Sequence, residues 1–185
     1  NLFFLMETTL PNTTLVLEPV TESNLDIYLM VGVRSYCQHY LHLWENNDPN
    51  PYISHGLTKK VVQPELKNPN ALHYLVQWEN NTVGILKLVK DCGIDELSDH
   101  DTLKAEKIYL LKEYAGKGIG KAVLGFVEEK ARELNKKTIW LDAMQKGKPV
   151  LFYQKNGFNI KRESEVTLPH VLPSEKAMWI LSKDL

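Results

Sequence analysis

Cysteine is nearly absent from this sequence. Cys37 and Cys92 are the two thiols in 185 residues, too few for a disulfide framework. That excludes the small disulfide-stapled scaffolds and suits a reducing, cytoplasmic setting. Net charge is nearly absent as well, at −1. No whole-chain field draws the protein to nucleic acid or to an anionic membrane, so neither is expected as a partner. No apolar run approaches the roughly 20 residues of a membrane-spanning helix. Repeats, low-complexity tracts and flexible linkers are also missing. What remains is ordinary for one globular domain, with 43% hydrophobic and 24% charged residues.

The chain opens on an apolar run, Leu2 to Met6, with no basic flank and no small-residue cleavage site. It is therefore a poor signal peptide. Residues 1–13 are expected to be an N-terminal extension, some of it foreign to the natural chain, with Met6 as a candidate start. Residues 14–185 are expected to form the domain.

Periodicity predicts the elements. Thr14 to Val20 alternates as a strand. LDIYLMVGVRSYCQHYLHLW, from Leu25, carries apolar residues at helical spacing, and NNDPNPYISHG reads as a loop. A short helix over 58–67 is interrupted by Pro64. ALHYLVQW (71–78) and TVGILKLVK (82–90) form a hairpin across ENN. An acidic loop leads to a strand over 102–111. A helix follows, with Val123, Phe126, Val127, Ala131 and Leu134 on one face. Then come a strand over 138–144, a helix from Pro149 to Gly157, and two last strands. The fold class is α+β: one domain with a mixed, mostly antiparallel sheet flanked by helices.

The stretch EYAGKGIGKAVL, 113–124, is the exception to this ordinary pattern. Gly116, Gly118 and Gly120 crowd the point where a helix begins, although glycine disfavours helix by about 1 kcal/mol. The first N–H groups of a helix have no internal partner, and the dipole makes that end positive. Glycines let an anion approach the backbone, and Lys117 and Lys121 add charge. A phosphate-bearing ligand follows; the plainer alternative is a tight turn whose glycines only relieve strain. The P-loop pattern fails, because Lys121 is followed by Ala122. The dinucleotide fingerprint fails at its third glycine, where Lys121 stands, although Asp142 lies near the expected acidic position.

Together, EKIYLLKEYAGKGIGKAVL and PVLFYQKNGF resemble the GNAT superfamily of acyl-CoA-dependent N-acetyltransferases. Ala115 to Gly120 match its phosphate loop, [QR]-x-x-G-x-[GA], except that Ala115 replaces the usual Gln or Arg. Phe152, Tyr153, Lys155, Gly157 and Phe158 match its second segment. Lys146 and Pro149 stand where the family usually has Asn and Ala. Within the superfamily the look is nearest to the polyamine-acetylating branch typified by the PaiA protein.

The resemblance implies an enzyme using acetyl-CoA as co-substrate and no metal. The pantetheine arm would pair with Ile108, Tyr109, Leu110 and Leu111. The CoA pyrophosphate would lie on Gly116, Lys117, Gly118, Ile119, Gly120 and Lys121, with Tyr153 and Lys155 completing the cofactor site. The N–H of Leu110 would hold the thioester oxygen and Tyr153 would protonate the leaving thiolate. Glu106 is the candidate base, against a water chain. Tyr36, Tyr40 and Trp44 would line the acceptor pocket. Glu45, Asp48 and the acidic loop from Asp91 to Asp101 would attract a cationic amine. Core packing and a solvated loop are the plainer readings of these residues. Cys37, His39 and His42 lack a fourth zinc ligand nearby. The acceptor is expected to be a small-molecule primary amine, a polyamine among the options, and the chain a homodimer. A protein or peptide acetyltransferase and a non-catalytic CoA-binding sensor are the alternatives.

Overall fold

The computed structural model describes residues 7–10 and 13–185. The apolar run Leu2–Met6 and the candidate start Met6 lie outside the described residues. Within the expected extension, β1 (Glu7–Leu10) pairs antiparallel with β2 (Thr13–Pro19) and lies at one end of the sheet.

After β2 the chain forms α1 (Leu25–Tyr40), α2 (Asn50–Gly56) and α3 (Lys59–Glu65). The hairpin β3 (Ala71–Trp78) and β4 (Asn81–Val89) follows, then β5 (Thr102–Leu110). The second half holds α4 (Ile119–Glu133), β6 (Thr138–Met144), α5 (Pro149–Lys155), β7 (Asn159–Glu165) and β8 (Ala177–Asp184). Among the described residues the sheet has eight strands, in the order β1-β2-β3-β4-β5-β6-β8-β7. All neighbours are antiparallel except β5 and β6.

The apolar alternation of the strands divides between two faces. On one, Ile119, Val123, Phe126, Val127 and Ala131 of α4 are buried with Leu86, Leu88, Leu103 and Leu141. On the other, Leu25, Tyr28, Val31 and Tyr36 of α1 pack with Leu57, Val62, Leu75 and Ile85. Each large apolar side chain so buried contributes about 1.5–3 kcal/mol. The α2 segment departs from expectation. Its Asn and Pro density reads as loop, yet Pro51 sits in the first helical turn, where a missing N–H costs nothing.

Candidate active site

β5 pairs with β4 along most of its length but with β6 only from Thr102 to Lys104. Past Lys104 and Trp140 the two parallel strands separate and open a gap. The Leu111 N–H donates to the Val83 carbonyl at 2.8 Å, and Gly84 faces Leu110. That makes Gly84 and Leu110 a non-hydrogen-bonded pair of the antiparallel ladder. The N–H and C=O of Leu110, and by alternation those of Ile108, therefore face the gap. Those of Tyr109 are committed to Ile85. His39 Nε2 lies 2.9 Å from the Leu110 carbonyl, so this histidine caps the strand end.

The glycine loop lies just beyond. Gly116 and Gly118 have φ of +76° and +79°, the left-handed region that glycine enters without strain. A Cβ on either would meet nothing within 4 Å, so their need is conformational and their outer side is open. Gly118 is the N-cap of α4 and offers no side-chain hydrogen bond to its first turn. The exposed N–H groups there, with Lys117 and Lys121 exposed beside them, suit an anion. Ile119 is buried at 1% and has only its backbone to give. Gly120 lies under α5: a Cβ there would come 3.1 Å from Phe152. α1 holds the start of the loop through an ion pair of Arg34 with Glu113 and a 2.8 Å bond from the Lys112 N–H to Gln38 Oε1. Gly118→Ala is expected to cost about 1 kcal/mol in thermal unfolding. If the loop holds the CoA pyrophosphate as the resemblance implies, the same change should weaken CoA about tenfold, roughly 1.4 kcal/mol, in a direct titration.

α5 begins at Pro149 and presents Tyr153 to the gap. The Tyr153 ring packs edge-on against Phe152 and Phe158, at centroid distances of 5.3 and 5.8 Å. Burial raises its pKa, so the hydroxyl stays protonated. Lys155 is exposed on the same helix.

A cleft of about 490 Å³ enters at the gap. Tyr36, Tyr40 and Trp44 come together in its wall, joined by Tyr52 from α2 and Tyr109 from β5. Tyr36 and Tyr52 stack at 4.0 Å, Trp44 Nε1 donates to the Tyr36 hydroxyl at 3.0 Å, and the Tyr52 and Tyr109 hydroxyls bond to each other. Tyr52 lies in the Asn- and Pro-rich segment whose composition predicts a loop, so no helical spacing marks it.

The floor is polar. Lys87 faces Lys107 while Leu88 faces Ala105, so Glu106 is the extra residue of a bulge. Lys87 Nζ lies 2.6 Å from Glu106 Oε2 and 2.9 Å from Glu65 Oε1; Lys107 Nζ is 3.2 Å from the same Glu106 oxygen. Burial pushes the Glu106 pKa up, but Lys107 and Lys87 outweigh it and hold the carboxyl down to about 2. His73 Nε2 approaches Glu65 Oε2 to 3.0 Å off the hydrogen-bond direction, and the Tyr28 hydroxyl lies 2.9 Å from His73 Nδ1. Burial, with the charge of Lys87 beside it, lowers the His73 pKa to about 4, so the ring is neutral. His73 and Lys87 are cross-strand partners within the β3–β4 hairpin, whereas Glu65 reaches them from α3, a contact that no local pattern announces.

The acids expected to draw a cation lie elsewhere. Glu45 contacts His170 and Asp48 caps the Asn50 N–H, each at 3.0 Å. In the acidic loop Asp91 pairs with Lys136, Asp95 with Arg162, Glu96 with Lys161 and Asp101 with Lys137. These pairs fasten the loop to the domain, and none of the acids lines the cleft. Lys146 pairs with Glu175. Among the described residues, no three His, Cys, Asp or Glu side chains are grouped to hold a metal, and no helix is long and apolar enough to cross a membrane.

Residues 69–160 match the family described as Acetyltransferase (GNAT) domain. The chain is 26% identical, over 66% of its length and 70% of the relative, to an uncharacterized N-acetyltransferase in the pepI 3′ region of Lactobacillus delbrueckii subsp. lactis. Among solved structures it is similar to the PaiA N-acetyltransferase of Thermoplasma acidophilum in complex with coenzyme A. That likeness has 18% identity and a TM-score of 0.71, covering 92% of this chain and 99% of that one. It is also similar to the ribosomal-protein-alanine N-acetyltransferase of Brucella melitensis, with 16% identity and a TM-score of 0.67, covering 91% and 99%. The split between β5 and β6, the glycine loop capping α4 and the match over 69–160 converge on one conclusion: the chain belongs to the GNAT superfamily and is an acetyl-CoA-dependent N-acetyltransferase.

Proposed function

We propose that the acceptor is a primary amine of a small molecule, and that the acetyl group passes to it directly, in a ternary complex. The observation that carries this reading is the cleft of about 490 Å³, walled by tyrosines and leading to the gap beside Leu110. Its volume suits a small ligand.

The chemistry follows from the residues at the gap. Acetyl-CoA supplies the thioester. The pyrophosphate lies on the N–H groups from Gly116 to Lys121, and the pantetheine arm runs along Ile108 to Leu111. The Leu110 N–H faces the position where thioester oxygen gains negative charge. Tyr153, kept protonated by burial, donates to the departing thiolate. Glu106 is ionised but pinned between two ammonium groups, which suits it to fixing charge in the floor more than to taking a proton. The amine then loses its proton to water. Without a protein base, kcat/KM rises with pH until the amine itself is neutral.

The likeness to PaiA puts polyamines among the acceptors to assay. The test is thiol release from acetyl-CoA across spermidine, spermine, amino acids, aminoglycosides and peptides, with CoA binding followed in parallel. Turnover with one small-amine class is the expected result. Turnover confined to peptides would overturn the small-molecule reading. CoA binding without turnover would point to a sensor.

A further inference from the structure

Lys107 is a buried ammonium in the cleft wall with only a share of one counter-ion. Its side chain is 7% exposed, and its contact, Glu106 Oε2 at 3.2 Å, is the same oxygen that Lys87 holds at 2.6 Å. Lys87 also has Glu65, so it sits between two carboxylates while Lys107 sits at the outer edge of one. An ammonium has three donors. Among the described residues, one donor of Lys107 is matched to an acceptor. Burial and the like charge of Lys87 outweigh Glu106 and lower the Lys107 pKa.

The surroundings leave this end of the side chain accessible from the cleft. Lys107, His55 and Gly56 all line it. A Cβ on Gly56 would stand 3.3 Å from Lys107 Nζ, so α2 presents bare backbone at the ammonium. Strand alternation puts Lys107 on the same face as Tyr109. It lies three residues from Leu110, about 10 Å along the strand.

We propose that Lys107 binds an anionic group on the acceptor, so that the substrate is an amine carrying a carboxylate or similar anion at the far end of a short chain. This rests on the reading that the cleft admits an amine for acetyl transfer. The amine reaches the gap beside Leu110, the chain lies along the tyrosine wall, and the anion supplies the charge that Lys107 lacks. The carboxylates that line the cleft, Glu65, Glu106, Asp142 and Glu165, are each paired with a lysine, so a polyamine of the same length would set its second ammonium against Lys107, and that repulsion selects against it.

Three acceptors of matched length decide the matter: 6-aminohexanoate, hexylamine and 1,6-diaminohexane, which end in a carboxylate, a methyl group and an ammonium. The expected order of kcat/KM is the order given, with the carboxylate ahead of the methyl by about tenfold, as for a hydrogen bond to a charged group. In Lys107→Met that ratio falls to about one, mainly through KM. A wild-type enzyme that prefers the diamine, or shows no preference, overturns the proposal, as does a ratio that survives Lys107→Met. These wild-type outcomes hold even if the variant fails to fold. A second readout does not need turnover. Adipate is expected to raise the melting temperature of the wild type and not of Lys107→Met. If no amine releases thiol, the transfer reading fails while the adipate shift still decides the anion site; a missing shift then overturns it.

Discussion

Replacing Tyr153 by phenylalanine is expected to lower kcat by about 100-fold, the scale of a lost proton donor. The substitution removes one oxygen and keeps the ring that packs on Phe152 and Phe158. The melting temperature should therefore stay close to wild type, and CoA binding should change little. The thiolate then leaves without a proton from the protein. The pH profile carries a second mark of the same role. Burial raises the Tyr153 pKa, so the protonated donor persists above the ordinary tyrosine range. Wild-type kcat should hold on the alkaline side instead of falling near pH 10. Steady-state thiol release from both proteins checks this. An unchanged kcat in Tyr153→Phe would remove the hydroxyl from the mechanism.

Replacing Glu106 by glutamine is expected to destabilise the fold by about 3 kcal/mol, the cost of stranding a buried charge by deleting its partner. Lys87 would keep Glu65, but Lys107 would keep no carboxylate contact among the described residues. Urea unfolding measures the loss, and Lys107→Met in the Glu106→Gln background should restore part of it. Failure of that second change to help would mean that charge is not the cause.

The same cluster sets the acid limit. The Glu106 pKa is about 2 in the fold, against 4.5 for the free group. A depressed carboxyl pKa contributes stability that is present above pH 4.5 and lost as pH falls toward 2. At 1.36 kcal/mol per unit the contribution is about 3 kcal/mol. His73 acts earlier, with a pKa of about 4 against 6.5 when free. Its unfolded form binds a proton first, so stability begins to fall below pH 6.5. Unfolding free energy should therefore decline in two stages between pH 6.5 and 2, and Glu106→Gln should flatten the lower stage.

The local patterns carried much of this protein. The spacing of Gly116, Gly118 and Gly120 before Val123, Phe126 and Val127 is readable because φ and helical period are properties of a short segment. The two family segments stand close enough together in the chain to be recognised side by side, and packing of Phe152 over Gly120 joins them in the fold. Strand alternation likewise declared the β3–β4 hairpin. The tertiary structure decided the rest. Register alone determines that Leu110 and Ile108, not Tyr109, turn their backbone groups to the gap. A single-residue bulge places Glu106 against Lys87 and Lys107. Asn and Pro around Tyr52 read as a loop until α1 and the sheet supply the surface that α2 covers. The acids from Asp91 to Asp101 read as a charged lure until Lys136, Arg162, Lys161 and Lys137 arrive from distant elements to neutralise them. Charges find partners through space, and a sequence orders them only along the chain.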